Sequence, residues 1–285
     1  AVTIDHRHAY NDLSPASLAS ELGYAGLTGT LFTDIQWAVV NLNWQQGFNG
    51  GNTGLLVGRY DPSDYMNILG YVNPWVSFSN IATLLEPSIT FGDASWGIGA
   101  GHWINDSYYL LGGVNDANGT VTDNLEFFDG GSELHSWGHI GWSPSKQQRY
   151  PHNVHLAAWH ADAREEAGTD SSRGLALAAN WTFDKTWMPF ARLGWSEGDT
   201  PIYNKSASLG LLRKFAYRSD LVGIGVNWGE LPNELGEQTT LEAFWNIQLA
   251  PTLALTPSVQ YLGNPALNPD TDGIWLASIR ARLTF

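Results

Sequence analysis

The chain has no cysteine. Disulfide staples, a thiolate nucleophile and Cys-ligated zinc are therefore all excluded. Basic residues are scarce: 14 Lys and Arg stand against 28 Asp and Glu, for a net charge of −14. Phosphate backbones are bound by basic surfaces, so no nucleic-acid partner is expected. No stretch approaches the ~20 apolar residues of a membrane helix, and mean hydropathy is slightly negative. If the chain resides in a membrane, a closed β-barrel is the architecture that satisfies its backbone there. No leader is visible, since Ala1 runs straight into strand-like sequence. Either a signal peptide was cleaved or the sequence begins inside the mature chain. Linkers rich in Pro, Ser or charge are missing as well, so 1–285 reads as one domain.

What the chain has in abundance is aromatic residues and glycine: 14 Trp, 11 Tyr, 11 Phe and 31 Gly. The most informative stretch is the last, 273–285. Trp275, Ala277, Ile279, Ala281, Leu283 and Phe285 share one period-two face, and Ser278, Arg280, Arg282 and Thr284 share the other. Such alternation argues for a strand. An Arg at mid-bilayer on a lipid face costs roughly 2–4 kcal/mol, so the arginines are expected to face inward. Half-buried strands of a soluble sandwich would alternate in the same way, so the remaining strands have to decide.

Eleven candidate strands follow residue 94, at about 94–103, 107–116, 133–142, 152–163, 173–184, 187–197, 204–214, 219–229, 238–249, 252–263 and 273–285. Earlier candidates are 2–11, 31–46 and 55–60, which brings the count to an even 14. Between the first two lies a loop at about 12–27, where Ser14 to Ser17 are placed to cap a short helix that Gly23 stops. Short connections (105–106, 184–186, 250–251) alternate with longer ones (117–132, 164–172, 198–203, 230–237, 264–272). Outer-membrane barrels sort their loops in this way and sandwiches have no reason to. The turns at 143–151 and 215–218 fit less neatly. Trp187 and Trp195 lie on one strand face, ~26 Å apart at the strand rise. With a tilt of ~40° they match the two aromatic girdles of an apolar band ~25 Å tall. The expected fold is all-β, a transmembrane antiparallel up-and-down β-barrel. Fourteen strands are readable, or 16 if N-terminal strands are missing from this chain.

Residues 61–93 interrupt the strand rhythm while keeping Tyr65, Tyr71, Trp75, Phe78, Leu84 and Leu85. A connection this long is usually functional, and its apolar content argues against disorder. It is the candidate constriction loop, expected to fold inward. The candidate pore-lining residues are Arg59, Asp61, Trp75, Trp159, Phe190, Arg192, Glu242, Phe244, Asn246, Arg280 and Arg282. A lumen mixing guanidinium, carboxylate, amide and aromatic groups suits sugars, whose hydroxyls meet fork donors and whose C–H faces meet rings. A structural reading stands beside this one: inward Arg and Glu also stabilise a barrel wall by pairing. Among the eight histidines, His6 with His8 and His135 with His139 share strand faces without a convincing third ligand. No metal and no cofactor are expected. His152, His155 and His160 would need a Ser to form a hydrolase, and no Gly-x-Ser-x-Gly elbow is present. The acidic group Asp162, Glu165, Glu166 and Asp170 reads as a solvated outer loop, and Asp116 to Gly119 as a turn.

Four segments resemble the OprB-type carbohydrate-selective porins of Gram-negative outer membranes. They are Val57 to Tyr65, Trp159-His160 running on through Asp162 to Gly168, Gly223 to Gly229, and the terminal run. The last contains Glu237-Gln238, Glu242-Ala243-Phe244-Trp245, Leu255-Thr256-Pro257, Gln260-Tyr261 and Asn264 to Pro269. Gly236 stands where an Arg is expected before Glu-Gln. The resemblance implies a barrel of about 16 strands that admits small sugars and polyols by passive diffusion, with Arg59 and the terminal arginines in its lumen. Its implied partners are permeant sugars, outer-membrane lipid and lipopolysaccharide. The barrel-assembly machinery would read the strand ending in Phe285, and homo-oligomerisation fits the class. A cation-leaning general porin, suggested by the net charge of −14, is the first alternative. An outer-membrane hydrolase is the second.

Overall fold

The computed structural model describes residues 1–122, 127–128, 131–165, 167–215 and 219–285. Glu166, most of the 215–218 turn and part of the 117–132 connection lie outside them. The described residues form one antiparallel sheet of 14 strands, each paired with its neighbours in chain order. The first seven strands are β1 (Val2–Arg7), β2 (Gln36–Phe48), β3 (Thr53–Tyr60), β4 (Ser95–Trp103), β5 (Tyr108–Asp116), β6 (Leu134–Trp142) and β7 (His152–Ala161). The others are β8 (Ser172–Trp181), β9 (Trp187–Glu197), β10 (Lys205–Lys214), β11 (Leu221–Glu230), β12 (Glu237–Ala250), β13 (Leu253–Gly263) and β14 (Gly273–Leu283). Two one-turn helices, α1 (Leu18–Glu21) and α2 (Ile81–Leu84), lie in the two longest connections.

Every expected strand is present, with shifts mostly at the ends. β2 begins at Gln36, not near 31, because its lead-in is drawn into a loop pairing: Thr30 N–H donates to Ser79 O at 2.9 Å. β8 stops at Trp181, after which Asp184 and Lys185 both take positive φ. Two consecutive left-handed residues give the turn whose twist suits a tight hairpin.

Polarity across the sheet is the reverse of a soluble sandwich. The perimeter exposes Ile279 at 77%, Trp275 at 66% and Leu209 at 62%, whereas Asn227, Thr240 and Glu242 are 0% exposed on the inner face. Along β7 the alternation is regular: Asn153, His155, Ala157 and Trp159 are buried, and Val154 and Leu156 are exposed. Trp187 and Trp195 stand exposed at the two ends of β9. A water-facing sheet would hide these residues, while hydrocarbon accepts them.

One part of the barrel expectation differs. Among the described residues β1 pairs with β2 and β14 with β13, and the sheet is not sealed between β1 and β14. The two edges are also unequal in length, with 6 residues in β1 and 11 in β14.

The perimeter orientation predicts the effect of a charge placed there. Leu193→Arg, on the exposed face of β9, should lower the stability of the bilayer-folded protein by about 2–4 kcal/mol, measured by urea titration in liposomes. An unchanged midpoint would contradict a lipid-facing Leu193.

Candidate functional site

Segment 61–93 enters from the end of the sheet that carries the long connections and packs against the inner wall. Phe78 meets Phe244 at 5.0 Å and Phe190 at 6.0 Å, edge to face. Leu69 and Leu84 join them in one apolar cluster with Met188 and Leu212. Burying these side chains contributes roughly 1.5–3 kcal/mol each, which holds this part of the segment against β8–β12.

Polar contacts then fix its register. Glu242 receives four hydrogen bonds: Ser79 N at 2.8 Å, Ser79 Oγ at 2.9 Å, Asn80 N at 3.0 Å and Thr83 Oγ1 at 2.6 Å. At the other end of α2, Arg192 donates to Thr83 O at 3.0 Å, Leu84 O at 2.7 Å and Leu85 O at 3.2 Å. A carboxylate thus meets the unpaired amides at the start of the turn, and a guanidinium meets the unpaired carbonyls at its end. Both are the charges those termini favour. Arg280 adds a third grip, donating to Pro74 O at 2.9 Å and Ser77 O at 2.7 Å. Asn80 caps α2 through Ala82 N at 3.0 Å and reaches Gln260 Oε1 at 3.0 Å. Tyr24, from the 8–35 connection, hydrogen-bonds to both Asn80 and Thr240. Two long connections are therefore pinned to the inner face of β12 and β13.

The other candidate residues are distributed as follows. Trp159 is buried in a cluster with Tyr60, Met66 and Ile89, and Asn246 bonds Thr256 Oγ1 at 2.8 Å. Asp61 caps the turn at Pro62–Asp64 by accepting from Ser63 N at 2.8 Å. Arg59 is fully buried at the rim, donating from Nε to Val39 O at 2.6 Å and from Nη2 to Thr120 O. Trp75 is 48% exposed, and Arg282 lies exposed beyond Arg280. His139 and His155 sit 5.1 Å apart among Tyr109 and Trp137 as packed rings. Among the described residues no serine hydroxyl bonds a histidine ring, and no group of three metal-ligating side chains occurs. Asp116 caps its own turn through Asn118 N at 2.9 Å.

Free space remains towards the end that carries the short turns. A cavity of about 420 Å³ is bounded by β2–β6, the 143–151 turn and the start of the inserted segment. Gly99 and Gly101, at inward positions of β4, line it without side chains, while outward Ile98 is 55% exposed. Tyr65, Tyr109, Trp137, Arg149 and Tyr150 supply its functional side chains. Arg149, Tyr109 and Trp137 were not among the candidates read from the sequence. The alternate glycines of β4 were the available signal.

An up-and-down sheet with an apolar perimeter, polar interior and inward loop is the architecture of an outer-membrane diffusion porin. A family comparison matches residues 142–285 to the carbohydrate-selective porin, OprB family. The chain belongs to that family. Pseudomonas putida OprB in its high-pH structure is similar over 92% of this chain and 77% of its own, at 14% identity and TM-score 0.77. Its low-pH structure matches 87% of this chain and 67% of that one, at 15% identity and TM-score 0.55. Vibrio cholerae OmpT, expressed in the outer membrane, covers 87% and 81% at 11% identity and TM-score 0.57. No curated protein matches by sequence.

Two outcomes are expected from the loop anchors. Glu242→Ala leaves Ser79 N, Ser79 Oγ and Asn80 N without their acceptor, each costing about 1–3 kcal/mol when buried, while Thr83 Oγ1 keeps Asn80 O. Single-channel recordings should then show larger, noisier currents, and wild-type traces would contradict the anchoring role. Asp61 supplies a pH dependence. Desolvation, reinforced by Asp64 and then Asp93, raises its pKa from 3.8 to about 6. Below pH ~4 both folded and unfolded chains hold the proton. As pH rises towards 6 only the unfolded chain releases it, so stability is lost across that window. Asp61→Asn should remove this part of the decline, giving a higher Tm than wild type at pH 7 and an equal one at pH 4.

Proposed function

We propose that the lumen passes small carbohydrates, mono- and disaccharides and polyols, by passive diffusion past a constriction formed by segment 61–93. The observation that carries this reading is the inserted segment itself. It is fixed to the inner wall by Glu242, Arg192 and Arg280 and borders a cavity of mixed polar and aromatic lining. Opposite charges meet where the segment packs on the wall, Glu86 of the segment near Arg192 and Glu242 near Arg280. A wall of mixed sign sets no strong ion preference, whereas a single-sign ring would. Weak, repeated contacts with hydroxyls and ring faces favour sugars without trapping them.

In this reading the chain is one barrel domain and a channel, not an enzyme. Edge groups of β1 and β14 find partners at the seam once hydrocarbon surrounds them, since the bilayer core offers no water to satisfy them. Outer-membrane lipid and lipopolysaccharide contact the perimeter, and the barrel-assembly machinery engages β14 through to Phe285. Homo-oligomers would use the same apolar perimeter. Of the pore-lining candidates, Glu242, Arg192 and Arg280 act by placing the constriction, and Trp159, Phe190 and Phe244 by packing it.

Liposome swelling tests the proposal. Vesicles carrying the full chain should admit glucose faster than a zwitterion of matched size. Equal rates for the two solutes would defeat sugar preference, and a strongly cation-selective reversal potential would favour the general-porin alternative.

A further inference from the structure

We infer that the cavity between β2–β6 and the inserted segment is a pyranose-binding subsite built around Arg149, at the lumen end that carries the short turns. The inference rests on the porin reading and names a site within it. Arg149 differs from Arg192 and Arg280. Arg192 and Arg280 direct their guanidiniums to backbone carbonyls of segment 61–93. Arg149 lines the cavity with its guanidinium carbon 4.6 Å from the Tyr109 ring centroid. Among the described residues, no side-chain or backbone oxygen accepts a hydrogen bond from that guanidinium. Stacking on an aromatic face orients a guanidinium without consuming its N–H groups. Tyr109 is itself fixed, its hydroxyl donating to Asn153 Oδ1 at 2.9 Å. The result is a rigid fork of donors turned towards free space.

Further aromatic rings border the same space. Tyr65, carried by the inserted segment, and Trp137, on β6, lie near-parallel at 21° with centroids 6.4 Å apart. Flat rings beside a fork of donors complement a pyranose, which offers an apolar C–H face and a rim of vicinal hydroxyls. Gln45 and Asp64 line the same space and supply acceptors for the sugar's remaining hydroxyls. A volume of about 420 Å³ falls within the ~300–1,000 Å³ of small-ligand pockets. An anion would meet Asp64 as well as Arg149, so a neutral polyhydroxyl ring is the better match.

The test uses the full chain in planar bilayers, with glucose as the ring probe and sorbitol as its acyclic counterpart. Glucose should reduce the wild-type ion current saturably, and sorbitol at equal concentration should not, because a flexible chain has no fixed apolar face. Arg149→Gln should raise the half-saturating glucose concentration about tenfold, as expected for loss of one charge-assisted hydrogen bond. Gly99→Leu provides a second variant. An added Cβ there meets nothing nearer than the Tyr60 hydroxyl at 3.5 Å, so the side chain should fill the cavity and abolish the saturable component. If glucose and sorbitol act alike on a conducting wild type, the subsite is wrong and the porin reading stands. Both variants keeping the wild-type half-saturation would overturn it equally. A wild type that carries no current would overturn the porin reading and the subsite together.

Discussion

Each strand of this sheet borders two solvents, and that constraint governs the rest of the structure. Hydrocarbon on the perimeter demands apolar side chains and a backbone whose hydrogen bonds are met within the sheet. The interior must hold polar groups that hydrocarbon would reject. The period-two geometry of a strand separates the two sets residue by residue, and a slip of one position would exchange them. Exposed Trp275 and Ile279 beside inward Arg280 on β14 show the separation at its sharpest.

With the wall settled in this way, its inward charges have a specific task. Glu242, Arg192 and Arg280 are placed on strands β12, β9 and β14, yet their hydrogen bonds run to one inserted segment. The rigid sheet thereby positions a loop that lacks enough secondary structure to position itself. Buried charges of this kind are tolerable only when several hydrogen bonds offset their desolvation. Four at Glu242 and three at Arg192 meet that condition. The segment packs on both sides of the lumen, Leu69, Phe78 and Leu84 against β8–β12 and Met66 and Ile89 against β3, β6 and β7; the space that remains is lined by Gly99, Gly101 and Arg149 near the short turns.

Much of this was legible in the residues alone. The strands, their order and the facing of Arg280, Arg192, Glu242 and Trp159 all follow from alternation, because a side chain's face in a strand depends only on its parity. Segment 61–93 was legible from its length and apolar content as an ordered connection that could fold inward, and its direction was not. The sequence did not reveal which polar groups it would meet. Asn80 and Glu242 are 162 residues apart, and such a contact leaves no local pattern. The 143–151 turn reads as merely irregular in sequence, yet it carries Arg149, which meets Tyr109 and shares a cavity with Trp137, both from other elements.

Local periodicity thus determined the architecture, the membrane setting and the inward or outward direction of nearly every strand residue. Those properties depend on nearest neighbours along the chain and on the two solvents. Tertiary structure alone decided that Arg192 and Arg280 hold the loop and that Arg149 faces a cavity. That division depends on where the sheet brings distant segments together, and on which donors find a backbone carbonyl within reach.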